Sequence, residues 1–249
     1  MSVDDQKRAA GEAAALLVRD GMTVGLGTGS TAAWFVKALA ARNLSIKGVP
    51  TSEATAQLAR SLGIALVELD DAGLIDLTVD GADDIGPNLA LIKGAGAALL
   101  REKLVWEASR RCVVIAEAAK HGDVFGGALP LPVEVVAFGH ATTARRINAE
   151  LARLGFAAPA RLRIRDGEPV RTDNGNLIYD IACGAIDDPR ALADALKHLT
   201  GVVEHGLFLG LAETALIGTE DGVVTIHPQS RMILDGTVQN LNPAPEAKV

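Results

Sequence analysis

The feature that most constrains this chain is the alternation, through its first half, of short apolar strand patterns with helical ones. Residues 5–19 have helical spacing, and "MTVGLG" (22–27) is a short apolar run ending in glycine. "STAAWFVKALAARN" (30–43) reads as a helix and "IKGVP" (46–50) as a strand. "SEATAQLARSLG" (52–63) is a helix with Ser52 as its cap and a glycine at its end. "ALVEL" (65–69), "LIDLTVDGADD" (74–84), a loop and helix in "KGAGAALLREK" (93–103), and the strand "RCVVIAE" (111–117) complete the series. Strands separated by helical segments imply crossover units. The expected fold is therefore α/β, a Rossmann-like, mainly parallel sheet with helices on both faces. In such sheets ligands bind beyond the carboxyl ends of the strands, where loops feed the next helices.

The texture changes near residue 128. "ALPLPVEVVAFG" (128–139) has two prolines leading into an alternating strand, and the helix "HATTARRINAELARLG" (140–155) follows. "ARLRIRDG", the turn "TDNGN", the strand "LIYDIACG" and the helix "DPRALADALKHLTG" come next. Strand, helix, strand, strand, helix predicts a smaller α+β, ferredoxin-like layer inserted into the larger body. The expected division is 1–127 with 203–249 as the α/β catalytic domain, and 128–202 as the small domain. "VVEHGLFLG", "TALIGTEDG" and "VVTIH" return to buried-strand texture, and "NLNPAPEAKV" (240–249) reads as a frayed tail.

Composition narrows the function. A net charge of −7 and an aromatic content of 3% argue against broad binding to nucleic acid or anionic lipid and against base-stacking platforms. No apolar run approaches the ~18 residues of a spanning helix, and the start "MSVDDQKRAAGEAAALLVRDG" reads as an amphipathic helix rather than a signal segment. Cys112 and Cys183 sit in strand-like apolar surroundings, which suits reduced core thiols and a cytoplasmic address. The expected ligand is a small molecule.

"GLGTGSTAA" (25–33) lies at a strand-to-helix junction. Glycines let the backbone approach a ligand, the helix start offers free N–H groups, and Thr28, Ser30 and Thr31 add hydroxyls. That combination suits a phosphate monoester. Gly27, Gly29 and Ala32 formally satisfy a dinucleotide fingerprint, but Thr51 and Ser52 stand where an acid should end the next strand. A nucleotide P-loop would need a lysine that is missing, and a turn that merely packs strand on helix is the plain alternative.

Asp80 and Asp83 are three apart in "TVDGADDIGPN", so a tight turn can aim both into one cleft with Asp84 pointing elsewhere. Read singly, this is turn chemistry, and an EF-hand's spaced acids are absent. Read with "GTGST" and "KGAGA", it is one of three loops that a parallel sheet would gather at one edge. One loop would bind an anion, one would offer acids, and one would offer Lys93 with Glu102 close behind.

These motifs resemble type A ribose-5-phosphate isomerases over nearly the whole length. The likeness runs through "GLGTGST", "TSEAT", "DGADD", "KGAGAALLREK", "LPVEV", "TDNGN", "GVVEHGLF" and "ALIGTEDGV", in order. It implies interconversion of D-ribose 5-phosphate and D-ribulose 5-phosphate in the pentose phosphate pathway, with no metal and no organic cofactor, in a cytoplasmic homodimer or homotetramer. By motif it implies that Thr28, Gly29, Ser30 and Thr31 hold substrate, with the phosphate near the hydroxyls. Asp80, Gly81, Ala82 and Asp83, with Lys93, Gly94, Ala95 and Gly96, would line the sugar. Glu102 would be the proton acceptor and Lys120 of "EAAKHG" a further contact. Ala95 stands where the family usually has glycine, Asp84 where glutamate is common, and Ala119 where serine is common; the segment after "GTEDGV" is longer than usual.

The implied chemistry suits these side chains. A carboxylate lifts the C2 proton of the open-chain aldose and returns it to C1, an ammonium such as Lys93 stabilises the enediolate, and Asp80 or Asp83 assists ring opening. His121, His140, His198, His205 and His227 lack metal-ligand spacing. Trp34 and Trp106 read as core or interface, and the charged "RRINAE" and "RLRIRDGE" as solvated faces. A sugar-phosphate sensor would need a DNA-binding helix-turn-helix, for which the residues before 22 are too few. A nicotinamide-dependent dehydrogenase rests on the glycine fingerprint alone.

Overall fold

The helix Val3–Ala15 starts with a reciprocal cap: the Asp5 N–H donates to Ser2 Oγ (3.1 Å) and the Ser2 N–H donates to Asp5 Oδ2 (3.2 Å). It packs beside Ser30–Ala41 on one face of a six-stranded sheet. The strand order is Gly222–Ile226, Thr214–Thr219, Cys112–Glu117, Leu77–Gly81, Thr23–Leu26, Lys47–Pro50. Only the first pair is antiparallel; every other neighbour is parallel. This computed structural model describes residues 1–127, 129–228, 231–234 and 237–240, so the tail beyond Asn240 lies outside the described residues, as does the residue at the expected boundary, 128.

The period-2 pattern of the strands separates two cores. Val113, Ile115 and Leu216 face the helices that carry Ala10, Ala14, Phe35 and Leu39. Val114, Ala116, Ala215 and Ile217 face the other way, against Trp106 of the helix Leu99–Glu107 and Phe208. Each fully buried Val, Ile, Leu or Phe side chain among them contributes about 1.5–3 kcal/mol. Helices therefore cover both faces, as the alternating pattern predicted.

Two segments depart from their sequence readings. "ALVEL" forms no strand: at the sheet edge a single bridge joins Gly48 and Leu66, and Leu69–Ala72 is already a helical turn. "LIDLTVDGADD" supplies two strands rather than one. Leu77–Gly81 enters the large sheet, and Asp84–Ile85 joins Leu91–Ile92 and Leu207–Phe208 in a small antiparallel sheet. That second sheet delivers Lys93 to the carboxyl edge of the first.

A four-stranded antiparallel sheet has the order Val202–His205, Leu131–Val135, Leu177–Ile181, Arg161–Leu162. Helices His140–Arg153 and Pro189–Lys197 bury Ile147, Leu151, Leu192 and Leu196 with its strands. With Val202–His205 added to the expected strand, helix, strand, strand, helix, this is a β-α-β-β-α-β layer. The expected boundary at 202 cuts through its last strand, because "VVEH" pairs with Leu131–Val135 and the chain leaves that sheet only at Gly206. Gly206 joins the layers: its N–H donates to Pro132 O (2.8 Å) and its carbonyl accepts from Lys93 N (2.9 Å). A Cβ there would lie 2.3 Å from Lys93 O. Among the described residues no helix is long and apolar enough to cross a membrane.

Candidate active site

At the carboxyl edge of the large sheet, the strand Thr23–Leu26 has Lys47–Pro50 on one side and Leu77–Gly81 on the other. This is a switch point, where loops leaving neighbouring strands diverge and open a crevice. Gly27 is glycine because of its neighbour: a Cβ would stand 2.3 Å from Asp80 Oδ1. That approach lets Asp80 Oδ1 accept the N–H groups of Thr28 (2.9 Å) and Gly81 (2.7 Å). Asp80 is 0% exposed, and its other oxygen lies 3.1 Å from Lys93 Nζ.

Lys93, 2% exposed, donates to Gly81 O (2.5 Å) and Glu102 Oε1 (3.1 Å) and forms an ion pair with Asp80 Oδ2 (3.1 Å). Glu102 arrives from the first turn of Leu99–Glu107 and is 4% exposed. Its Oε2 is buried without a protein partner. Two carboxyl groups and one ammonium are thus buried together. Burial raises the Glu102 carboxyl most; Lys93 pulls it back only in part and Asp80 pushes it further, to about 8. Burial likewise raises Asp80, despite Lys93. Burial alone would depress Lys93, but Asp80, Glu102 and Asp83 outweigh it and hold the ammonium above the ordinary lysine value.

A cavity of about 140 Å³ opens in front of this cluster. Of the residues singled out in sequence, Thr28, Gly29, Ser30, Thr31, Gly81, Ala82, Asp83, Lys93, Gly94, Ala95, Gly96, Glu102 and Lys120 all line it. Asp80 does not; it stands behind Lys93 and Gly81. Asp83 does, and its Oδ2 accepts the Ala95 N–H (2.8 Å). Asp84 turns away to accept the Gly126 N–H (2.6 Å). Alanine at position 95 is accommodated because its φ is not positive; the left-handed positions of this loop are Gly94 (φ 106°) and Ala97 (φ 62°).

The Thr28 hydroxyl is turned inward to Thr51 Oγ1 (2.7 Å) and Ser52 Oγ (2.8 Å), so "TSEAT" supplies hydroxyls that orient the glycine loop. Ser30, Thr31 and the first N–H groups of Ser30–Ala41 remain at the mouth. Two lining residues escaped the sequence reading. Lys7, from Val3–Ala15, donates to Ser30 Oγ (3.1 Å) and lies 4.0 Å from Glu117, the last residue of Cys112–Glu117. Nothing local marks Lys7. Glu117 had a signal, since it ends a parallel strand. Among the described residues no group of three His, Cys, Asp or Glu could hold a metal ion.

Comparison with known proteins finds matches in both sequence and fold. Residues 47–222 match the family model described as ribose 5-phosphate isomerase A (phosphoriboisomerase A). The chain is 67% identical, over 92% of its length and 100% of the relative's, to ribose-5-phosphate isomerase A of Caulobacter sp. strain K31. It is similar to the structure of ribose 5-phosphate isomerase A from Methanocaldococcus jannaschii, with TM-score 0.83 and 38% identity over 91% of this chain and 100% of that one. A D-ribose-5-phosphate isomerase in complex with phospho-erythronic acid superposes with TM-score 0.85 at 37% identity, again over 91% and 100%.

Proposed function

Because the chain belongs to the ribose 5-phosphate isomerase A family and interconverts D-ribose 5-phosphate and D-ribulose 5-phosphate, we propose that the cavity in front of Lys93 and Glu102 is where it does so, with Glu102 as the base. The observation that carries this is Glu102: it lines the cavity, its Oε2 is buried without a protein partner, and its carboxyl is raised to about 8. A general base works best with a pKa near the operating pH.

The substrate phosphate sits at the helix start Gly29–Thr31, where Ser30, Thr31, free N–H groups and the Lys7 ammonium meet, with Lys120 also on the cavity wall. The binding of phospho-erythronic acid by a relative supports a pentose phosphate ligand. Asp83, not Asp80, exchanges the proton that opens the ring, because only Asp83 faces the cavity. Glu102 then takes the C2 proton, and the electron pair moves through C2–C1 onto O1. Lys93 supplies a fixed positive charge behind that oxygen. Once Glu102 is protonated and neutral, its claim on a Lys93 hydrogen weakens, and that donor can turn to the enediolate. A proton passes from O2 to O1, Glu102 returns its proton to C1, and C2=O forms. Asp80 holds Lys93 and the turn at Thr28 and Gly81 in place.

We further read residues 129–205 as an inserted unit on the catalytic body, and the protein as a cytoplasmic homodimer or homotetramer. Free Cys112 and Cys183 support the first address, and the 93% exposure of Phe138 leaves apolar surface for a second copy, which sedimentation would detect. The catalytic reading is tested by assaying ribulose 5-phosphate formation in EDTA with wild type and Glu102→Gln. The amide cannot take the C2 proton, so kcat should fall by roughly 10²–10⁴ with KM little changed. Near-normal turnover by a folded Gln variant, with exposed Glu107→Gln as control, would remove Glu102 from the role.

A further inference from the structure

Arg163 belongs to "RLRIRDGE", which reads in sequence as a solvated face, yet its side chain is only 13% exposed. Its backbone is pinned on both sides: its N–H donates to Ile178 O (2.8 Å), and its carbonyl accepts from Val170 N (2.9 Å). Its guanidinium grips both oxygens of Asp180 in the neighbouring strand, Nε donating at 2.8 Å. The remaining edge crosses to the substrate loop, where Nη1 donates to Gly94 O (2.9 Å) and Ala95 O (3.0 Å). Arginine's planar fork allows such a double engagement, which a lysine could not reproduce.

In a trans peptide the carbonyl of one residue and the N–H of the next point in opposite directions. With Gly94 O held by Arg163, the Ala95 N–H is directed the other way, onto Asp83 Oδ2 (2.8 Å). With Ala95 O held as well, the Gly96 N–H is turned away from Arg163, and Gly96 lines the cavity. The loop closes on itself through one hydrogen bond, the Ala97 N–H donating to Gly94 O (3.0 Å), but it begins at Gly94 with φ 106° and ends at Ala97 with φ 62°, a conformation unfavourable for alanine that outside support offsets.

We propose that Arg163 is a positioning residue for the isomerisation: from the small sheet it orients the peptides 94–96, thereby fixing Asp83 and presenting the Gly96 N–H to the sugar. This rests on the reading of the cavity as the isomerase site. It predicts that the sugar end is disturbed when Arg163 is changed while the phosphate end, across the cavity at Gly29–Thr31, is not.

The test measures kcat, KM and the inhibition constant of inorganic phosphate for Arg163→Met, Arg163→Lys and Asp180→Asn, with Glu102→Gln alongside. For Arg163→Met we expect kcat/KM to fall roughly 10- to 100-fold, with kcat sharing the loss, while phosphate inhibits as before. Arg163→Lys should recover little, and Asp180→Asn should show a smaller loss of the same pattern; it also serves should Arg163→Met fail to fold. Wild-type kcat/KM in both Arg163→Met and Asp180→Asn, or a loss matched by equal weakening of phosphate inhibition, would overturn the positioning role. If Glu102→Gln is inactive and the Arg163 variants are not, only this inference falls. Full activity in Glu102→Gln would overturn the cavity assignment beneath it.

Discussion

Replacing Glu102 by glutamine should stabilise the protein and disable it, and the stabilisation should depend on pH in a calculable way. Glu102 is 4% exposed, with one oxygen on Lys93 and the other unpartnered. Its carboxyl is raised from 4.5 to about 8. A carboxyl raised on folding contributes stability that is fully present below its unfolded value and is lost as pH climbs through the folded one. Between pH 5 and pH 8.5 the wild type should therefore lose about 4 kcal/mol through this group. Glutamine stays neutral, keeps an oxygen for Lys93, and loses nothing over that range. The two proteins should unfold at similar denaturant at pH 5 and diverge steadily above it. By pH 8.5 the variant should melt roughly 10 °C higher relative to wild type than it does at pH 5. Urea unfolding at four or five pH values, followed by circular dichroism, measures the divergence. Curves that stay parallel to within about 1 kcal/mol would mean that Glu102 ionises freely in the folded protein, and the account of its poise as a base would fail.

Two further outcomes follow from the same cavity. Since Glu102 must be ionised to accept the C2 proton, kcat/KM should rise with pH and level off near its value of about 8; a flat profile between pH 6 and 8 would exclude it as the titrating base. Lys7→Met and Thr31→Ala should each raise KM for ribose 5-phosphate and weaken inhibition by inorganic phosphate while sparing kcat, and unchanged phosphate inhibition in both would move the phosphate site elsewhere.

Much of this protein is legible in its sequence for a local reason. Alternation of apolar strands with amphipathic helices is written in spacing, and it determines a parallel sheet whose carboxyl edge gathers the following loops. The glycine loop, "DGADD" and "KGAG" announce their chemistry because each carries its charged or hydroxyl groups within a few residues. What spacing cannot carry is direction. Asp80 and Asp83 look equivalent in sequence, yet Asp80 is buried under two N–H groups and Lys93 while Asp83 faces the cavity. Thr28 promises a hydroxyl for phosphate, yet gives it to Thr51 and Ser52. Lys7 and Arg163 stand in segments whose patterns say only helix and polar strand. Packing of Val3–Ala15 brings one to Ser30, and the pairing of Arg161–Leu162 with Leu177–Ile181 carries the other toward Gly94. The raised carboxyl of Glu102 is likewise a tertiary property. A glutamate on an exposed turn would titrate near its ordinary value, and only the closure of two sheets and a helix around it removes the water that would keep it there.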